Sequence, residues 1–119
     1  MIPKVYRGEV DASSESVRYL IALYDQEIAY LDFHIGKLFR KLKKLKLDKN
    51  TMVIITSDHG EGFGEHRLLN HGHSLYEKLI RVPLIIWCPT KFPKGKRVQT
   101  QINLVDIMPT ILELEDIKS

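Results

Sequence analysis

The chain's 119 residues suit one domain of ordinary size, and a hydrophobic content of 44% excludes a disordered tail. The net charge is +3, and much of the positive charge sits between Lys37 and Lys49, where leucines recur among the cations. This stretch therefore reads as the solvated face of a helix, and no nucleic-acid module or aromatic interleaving accompanies it. One cysteine, Cys88, excludes an intrachain disulfide and a cysteine-rich zinc module. No signal peptide is legible, and no run approaches the roughly 18 apolar residues of a membrane span.

Residues 1–11 read as an incoming loop, broken by Pro3 and Gly8. A long helix is expected next. Its apolar stripe runs Val17, Leu20, Tyr24, Ile28, Leu31, Ile35, Leu38, Leu42 and Leu45, in steps of three and four. Ser13 or Ser14 can cap its start, Glu15 suits the positive end of the dipole, and lysines crowd the other end. The steps alternate almost like heptads, so a coiled coil is the rival reading. Asp48-Lys49-Asn50 marks a turn. Thr51–Thr56 is a short β-branched run that predicts a strand buried on both faces, as in a parallel sheet. Leu75–Leu79 suggests a helical turn, Val82–Trp87 a second buried strand, and Val98–Ile102 a short third one. Asp106 is placed to cap a last helix, with Pro109 in its first turn and Ile107, Ile111, Leu112 and Leu114 on its apolar side. The order helix, strand, loop, strand, helix predicts an α/β layered domain.

The segment from Ser57 to Ser74 carries the chemistry. It holds four of the five histidines, His59, His66, His71 and His73, together with Asp58, Glu61 and Glu65. It begins where a strand ends, the place where ligands bind in open α/β sheets. Carboxylate beside imidazole suits manganese, magnesium, calcium or zinc. Asp58 and His59 are adjacent, so they converge on one ion only if the strand has ended and the backbone bends; Gly60 supplies a bend, and Gly60, Gly62 and Gly64 allow close approach to a ligand. The bland alternative is that Asp58 caps a turn and His59 packs in the loop. Glu61 reads first as a loop charge, Glu65 and His66 as hydrogen-bonding within the loop, and Arg81 as structural. His71 and His73 flank Gly72, and either can reach a bound anion. Cys88 has no histidine close in sequence to activate it and reads as inert.

Four blocks resemble the sulfatase family of the alkaline phosphatase superfamily. They are Tyr24–Asp32 with Ile35-Gly36, Thr56–Glu61 with Gly64–His66, His71–Glu77 with Arg81–Ile86, and Leu104–Leu112. The resemblance covers roughly residues 15–117 in the family's order. It implies a three-layer α/β/α fold with a mostly parallel sheet, of which residues 1–119 form the C-terminal segment, with one long helix at its start. It implies a sulfuric ester hydrolase, with a phosphodiesterase or phosphonate monoester hydrolase of the same superfamily as the alternative. Asp58 and His59 would be ligands of one divalent metal ion, calcium first and manganese or magnesium otherwise. His71 falls where many relatives place a lysine that holds the sulfate and leaving oxygen, and His73 can share that catalytic and substrate-binding role. A sulfate-ester small molecule or glycan is the implied substrate. The family's Cys- or Ser-x-Pro-x-Arg motif, the source of its formylglycine, does not occur in these residues; Cys88-Pro-Thr-Lys91 has the wrong spacing. The N-terminal half of the catalytic domain is therefore an expected partner, and the segment is expected to be inactive alone. A non-catalytic domain associating through its helix or a sheet edge is the rival from a different class.

Overall fold

A computed structural model describes residue 11 and residues 13–117; the loop expected around Pro3 and Gly8 lies outside the described residues. Helix α1 spans Glu15–Lys44, 30 residues and about 45 Å long. Ser14 is the N-cap, its hydroxyl accepting from the Val17 N–H at 3.3 Å. The other end closes without glycine. Lys46 adopts φ 57°, the Leu47 N–H reaches the Leu42 carbonyl at 2.9 Å, and the Lys46 N–H reaches that of Lys43 at 3.1 Å. This paired closure satisfies carbonyls the last turn would otherwise leave open.

Strand β1, Val53–Thr56, and strand β2, Leu84–Trp87, form a two-stranded sheet. They pair antiparallel, with Val53 opposite Trp87 and Thr56 opposite Leu84. The expected parallel pairing is corrected here, and the connection explains why. Parallel neighbours need a crossover that carries the chain back along the strand. The segment between the strands holds a 3-10 turn, Glu65–Arg67, and the four-residue helix α2, Glu77–Ile80, and it folds back on itself, with the Gly60 N–H on the Leu79 carbonyl at 2.7 Å. The chain stays at one end of the sheet and re-enters beside Thr56, where the Thr56 hydroxyl donates to the Pro83 carbonyl at 2.8 Å. The strands are half-buried, with Thr56 and Ile85 exposed, and not covered on both faces. No strand forms at residues 98–102: Val98 and Ile102 stay exposed and find no ladder partner among the described residues.

The final helix α3, Ile107–Leu114, follows a 3-10 turn at Leu104–Asp106. Asp106 acts one step earlier than expected. Its carboxylate accepts from the Asn103 N–H at 3.1 Å and anchors the 3-10 turn, and it makes no side-chain cap to α3. Two ring pairs tie α1 to the rest. Phe39 meets Trp87 of β2 edge-on at 4.9 Å, and Tyr24 meets Phe63 of the loop after β1 at 5.2 Å. The second contact seats the histidine-rich loop on the long helix. Most of the apolar stripe of α1 nevertheless remains exposed, including Ile28 and Leu31. Among the described residues Val17, Leu69, Leu79 and Cys88 form the buried core.

Candidate functional site

Strand β1 ends at Thr56 and the backbone bends at Asp58, so Asp58 and His59 escape the alternation of a strand. The Asp58 carboxylate accepts from the His59 N–H at 3.0 Å, and the same oxygen lies 3.6 Å from His59 Nε2. His59 Nδ1 is 2.9 Å from the Gly60 carbonyl. A carbonyl only accepts, so Nδ1 is the donor in this contact. Asp58 Oδ1 and His59 Nε2 thus lie side by side, and the other imidazole nitrogen is tied to a carbonyl. Asp58 is 88% exposed and His59 43%, which leaves both open to a ligand. Among the described residues no third His, Cys, Asp or Glu joins them in a metal-sized cluster.

His71 is brought to this pair across the loop. Its ring stacks on His59 at 3.8 Å with an interplanar angle of 24°. Its Nδ1 lies 3.1 Å from Glu61 Oε2, and Glu61 Oε1 accepts from the Gly62 N–H at 3.1 Å. His73 is attached less directly: its Nδ1 donates to the His71 carbonyl at 3.0 Å. His66 and Glu65 belong to a separate cluster. His66 stacks on Tyr76 at 3.7 Å, and Glu65 bonds the Phe63 N–H at 2.8 Å and the Lys78 ammonium. Burial raises the Glu65 carboxyl pKa, but the bonds from Lys78 and the Phe63 N–H outweigh it and hold the group below the usual carboxylate range.

The glycines act differently from expectation. The loop folds into its own small hairpin, with a bridge between Phe63 and Leu69 and a bond from the Asn70 N–H to the Gly62 carbonyl at 3.1 Å. Gly60 and Gly62 allow protein backbone to approach, not a ligand. A Cβ on Gly60 would stand 1.9 Å from the Lys78 carbonyl oxygen, and one on Gly62 would stand 3.0 Å from that of Asn70. Gly64 does serve as a turn, at φ 94°. Arg81 pairs with Glu77 at 3.0 Å on the surface, and Cys88 is buried. Sequence reasoning gave Glu61 no more than a loop charge, because a bond spanning ten residues has no signature in spacing.

The loop at the carboxyl end of β1 thus gathers carboxylates and imidazoles beside a long helix, an arrangement of the α/β class. The Sulfatase family profile matches residues 2–117, and the chain belongs to the sulfatase family. It is 38% identical over 91 residues to "Uncharacterized sulfatase YidJ" of Escherichia coli (strain K12), covering 75% of this chain and 17% of the relative. It is 36% identical over 102 residues to "Arylsulfatase K" of Gallus gallus, covering 86% and 19%. It is 36% identical over 101 residues to "Endo-4-O-sulfatase" of Bacteroides thetaiotaomicron, covering 85% and 19%. The chain thus spans about a fifth of the length of the curated relatives it matches.

Proposed function

We propose that this chain supplies part of the metal and substrate site of a sulfate-ester hydrolase whose catalytic domain extends beyond these residues. The observation that carries the reading is the meeting of Asp58 Oδ1 and His59 Nε2, with His71 stacked directly behind. In this reading Asp58 and His59 are two ligands of a divalent cation. The donor set, one carboxylate oxygen and one imidazole nitrogen, suits calcium, manganese or magnesium. Such an ion draws charge from the nonbridging oxygens of a bound ester. Further ligands and the formylglycine nucleophile come from the N-terminal half of the domain, which completes a mostly parallel sheet in the three-layer fold of the superfamily. His71 takes the role beside the leaving oxygen, where it holds a sulfate oxygen or passes a proton to the departing alkoxide. The ring stack on His59 favours His71 over His73 for this role, and His73 braces the His71 backbone through its carbonyl.

Thermal shift with calcium and manganese tests the metal half of this reading. Either ion raises the unfolding midpoint of the chain, and Asp58→Ala removes the rise. A folded sample that responds to neither ion would count against it. Hydrolysis tests the other half: the isolated 119 residues give no turnover of an aryl sulfate. Metal-dependent turnover by this chain alone would overturn the dependence on a further segment.

A further inference from the structure

We propose that Glu61 is a positioning residue that locks His71 in one tautomer, with the proton on Nδ1 and the lone pair on Nε2. The purpose of this lock rests on the role given above to His71, but its existence does not. Both oxygens of Glu61 are assigned: Oε1 is held by the Gly62 N–H at 3.1 Å, and Oε2 faces His71 Nδ1 at 3.1 Å. A carboxylate accepts and does not donate, so the shared proton is that of Nδ1. The Glu61 side chain is 22% exposed and that of His71 46%, which makes the carboxylate the inner partner and leaves the imidazole facing outward. The His71 ring is fixed on a second side by the face of His59. Turning the ring over would set a C–H against Oε2 and forfeit the bond.

The contrast with Glu65 sharpens the assignment. Glu65 spends its charge on the Lys78 ammonium, whereas among the described residues no lysine or arginine pairs with Glu61. Its partner is an imidazole that holds one of two states. A histidine that must present the same nitrogen at each turnover gains from a carboxylate behind it, because the bond made by one nitrogen decides what the other carries. Glu61 does not reach a substrate in this arrangement; it acts through His71.

Long-range proton–nitrogen NMR on the histidine-labelled chain at alkaline pH, where imidazoles are neutral, tests this directly. The wild-type chain shows His71 as a single Nδ1–H tautomer. Glu61→Leu turns it into a mixture of both tautomers while His34, remote from the loop, keeps its spectrum. A wild-type His71 that is already a mixture overturns the proposal, as does a Glu61→Leu chain that keeps the single Nδ1–H form. The wild-type spectrum alone decides the matter if Glu61→Leu does not fold. Failure of the functional reading would show elsewhere, as sulfate-ester turnover that survives His71→Ala in the complete catalytic domain.

Discussion

Two residues set the shape of the histidine loop by what lies beside them. Gly60 donates its N–H to the Leu79 carbonyl at 2.7 Å, and its missing Cβ leaves room for the Lys78 carbonyl. Backbone, unlike a long side chain, has no cheap way to retreat. Gly60→Ala should therefore lower stability by about 1–3 kcal/mol, read as a fall in the urea midpoint, and should loosen the tie between α2 and the Asp58-His59 bend. Glu65 gives a pH dependence whose sign follows from its depressed pKa. Its bonds to Lys78 and Phe63 contribute fully above the ordinary carboxylate range and are lost as pH falls through the lowered folded value. Tyr76, stacked on the neighbouring His66, reports the change through its aromatic NMR shifts. Glu65→Gln should abolish that acid-side transition, and an unchanged transition would remove Glu65 as its cause. At this scale the sequence was informative about which residue types gather in the loop and silent about their pairing. Asp58 next to His59 was legible because adjacency limits the geometry. Glu61 with His71 was not, because the hairpin that joins them rests on backbone bonds no side-chain pattern encodes.

Elements were legible where periodicity acts and obscure where a neighbour decides. The three-and-four spacing from Val17 onward predicted α1 almost to its ends, because the pattern is local. Sheet sense was not local. Two apolar β-branched runs look alike whether they pair parallel or antiparallel, and the sense shows only where the connection folds back on itself, with the Gly60 N–H on the Leu79 carbonyl. Val98–Ile102 has strand-forming residues, but a strand also needs an edge to bind. The closing turns of α1 and α3 carry no glycine to announce them. Lys46 at φ 57° and Asp116 at φ 53° occupy the left-handed position of the closing turn, and the Ile117 N–H reaches the Leu112 carbonyl at 2.9 Å just as Leu47 reaches Leu42. A lysine there bears a steric cost of about 1–2 kcal/mol that glycine does not. Lys46→Gly should thus stabilise the chain by about 1 kcal/mol, offset in part by the greater entropy of glycine in the unfolded state. Chemical denaturation monitored by helical circular dichroism reads the difference. A lower midpoint in the variant would mean that Lys46 contributes contacts outweighing its backbone strain.

The dimensions of the whole molecule bear on what its surface does. The radius of gyration is 18.6 Å, against about 13.5 Å for a compact domain of this length. The excess comes from α1, a helix longer than the rest of the fold is wide, which is apolar on more than one face. Leu20, Tyr24, Ile28 and Leu31 form one exposed row, and Tyr19, Tyr30 and Phe33 lie outside it, also exposed. Helices apolar around much of their girth are core helices of larger bodies, and an apolar surface of this kind ordinarily marks an interface. The sulfatase relatives, about five times as long, have the mass to cover it. In their absence the chain should bind a hydrophobic dye strongly and associate as its concentration rises. Light scattering and dye fluorescence measure both. Paired substitution Ile28→Glu and Leu31→Glu places charge in the middle of the row without disturbing helix propensity. It should cut dye binding several-fold and shift the scattering mass toward that of one chain, with the helical signal retained. A wild-type chain that is monomeric and silent to the dye at every concentration would mean that the stripe finds cover within these 119 residues. The proposed dependence of the active site on a further segment would then lose its structural support, because the helix that carries the histidine loop through Tyr24 and Phe63 would already be complete.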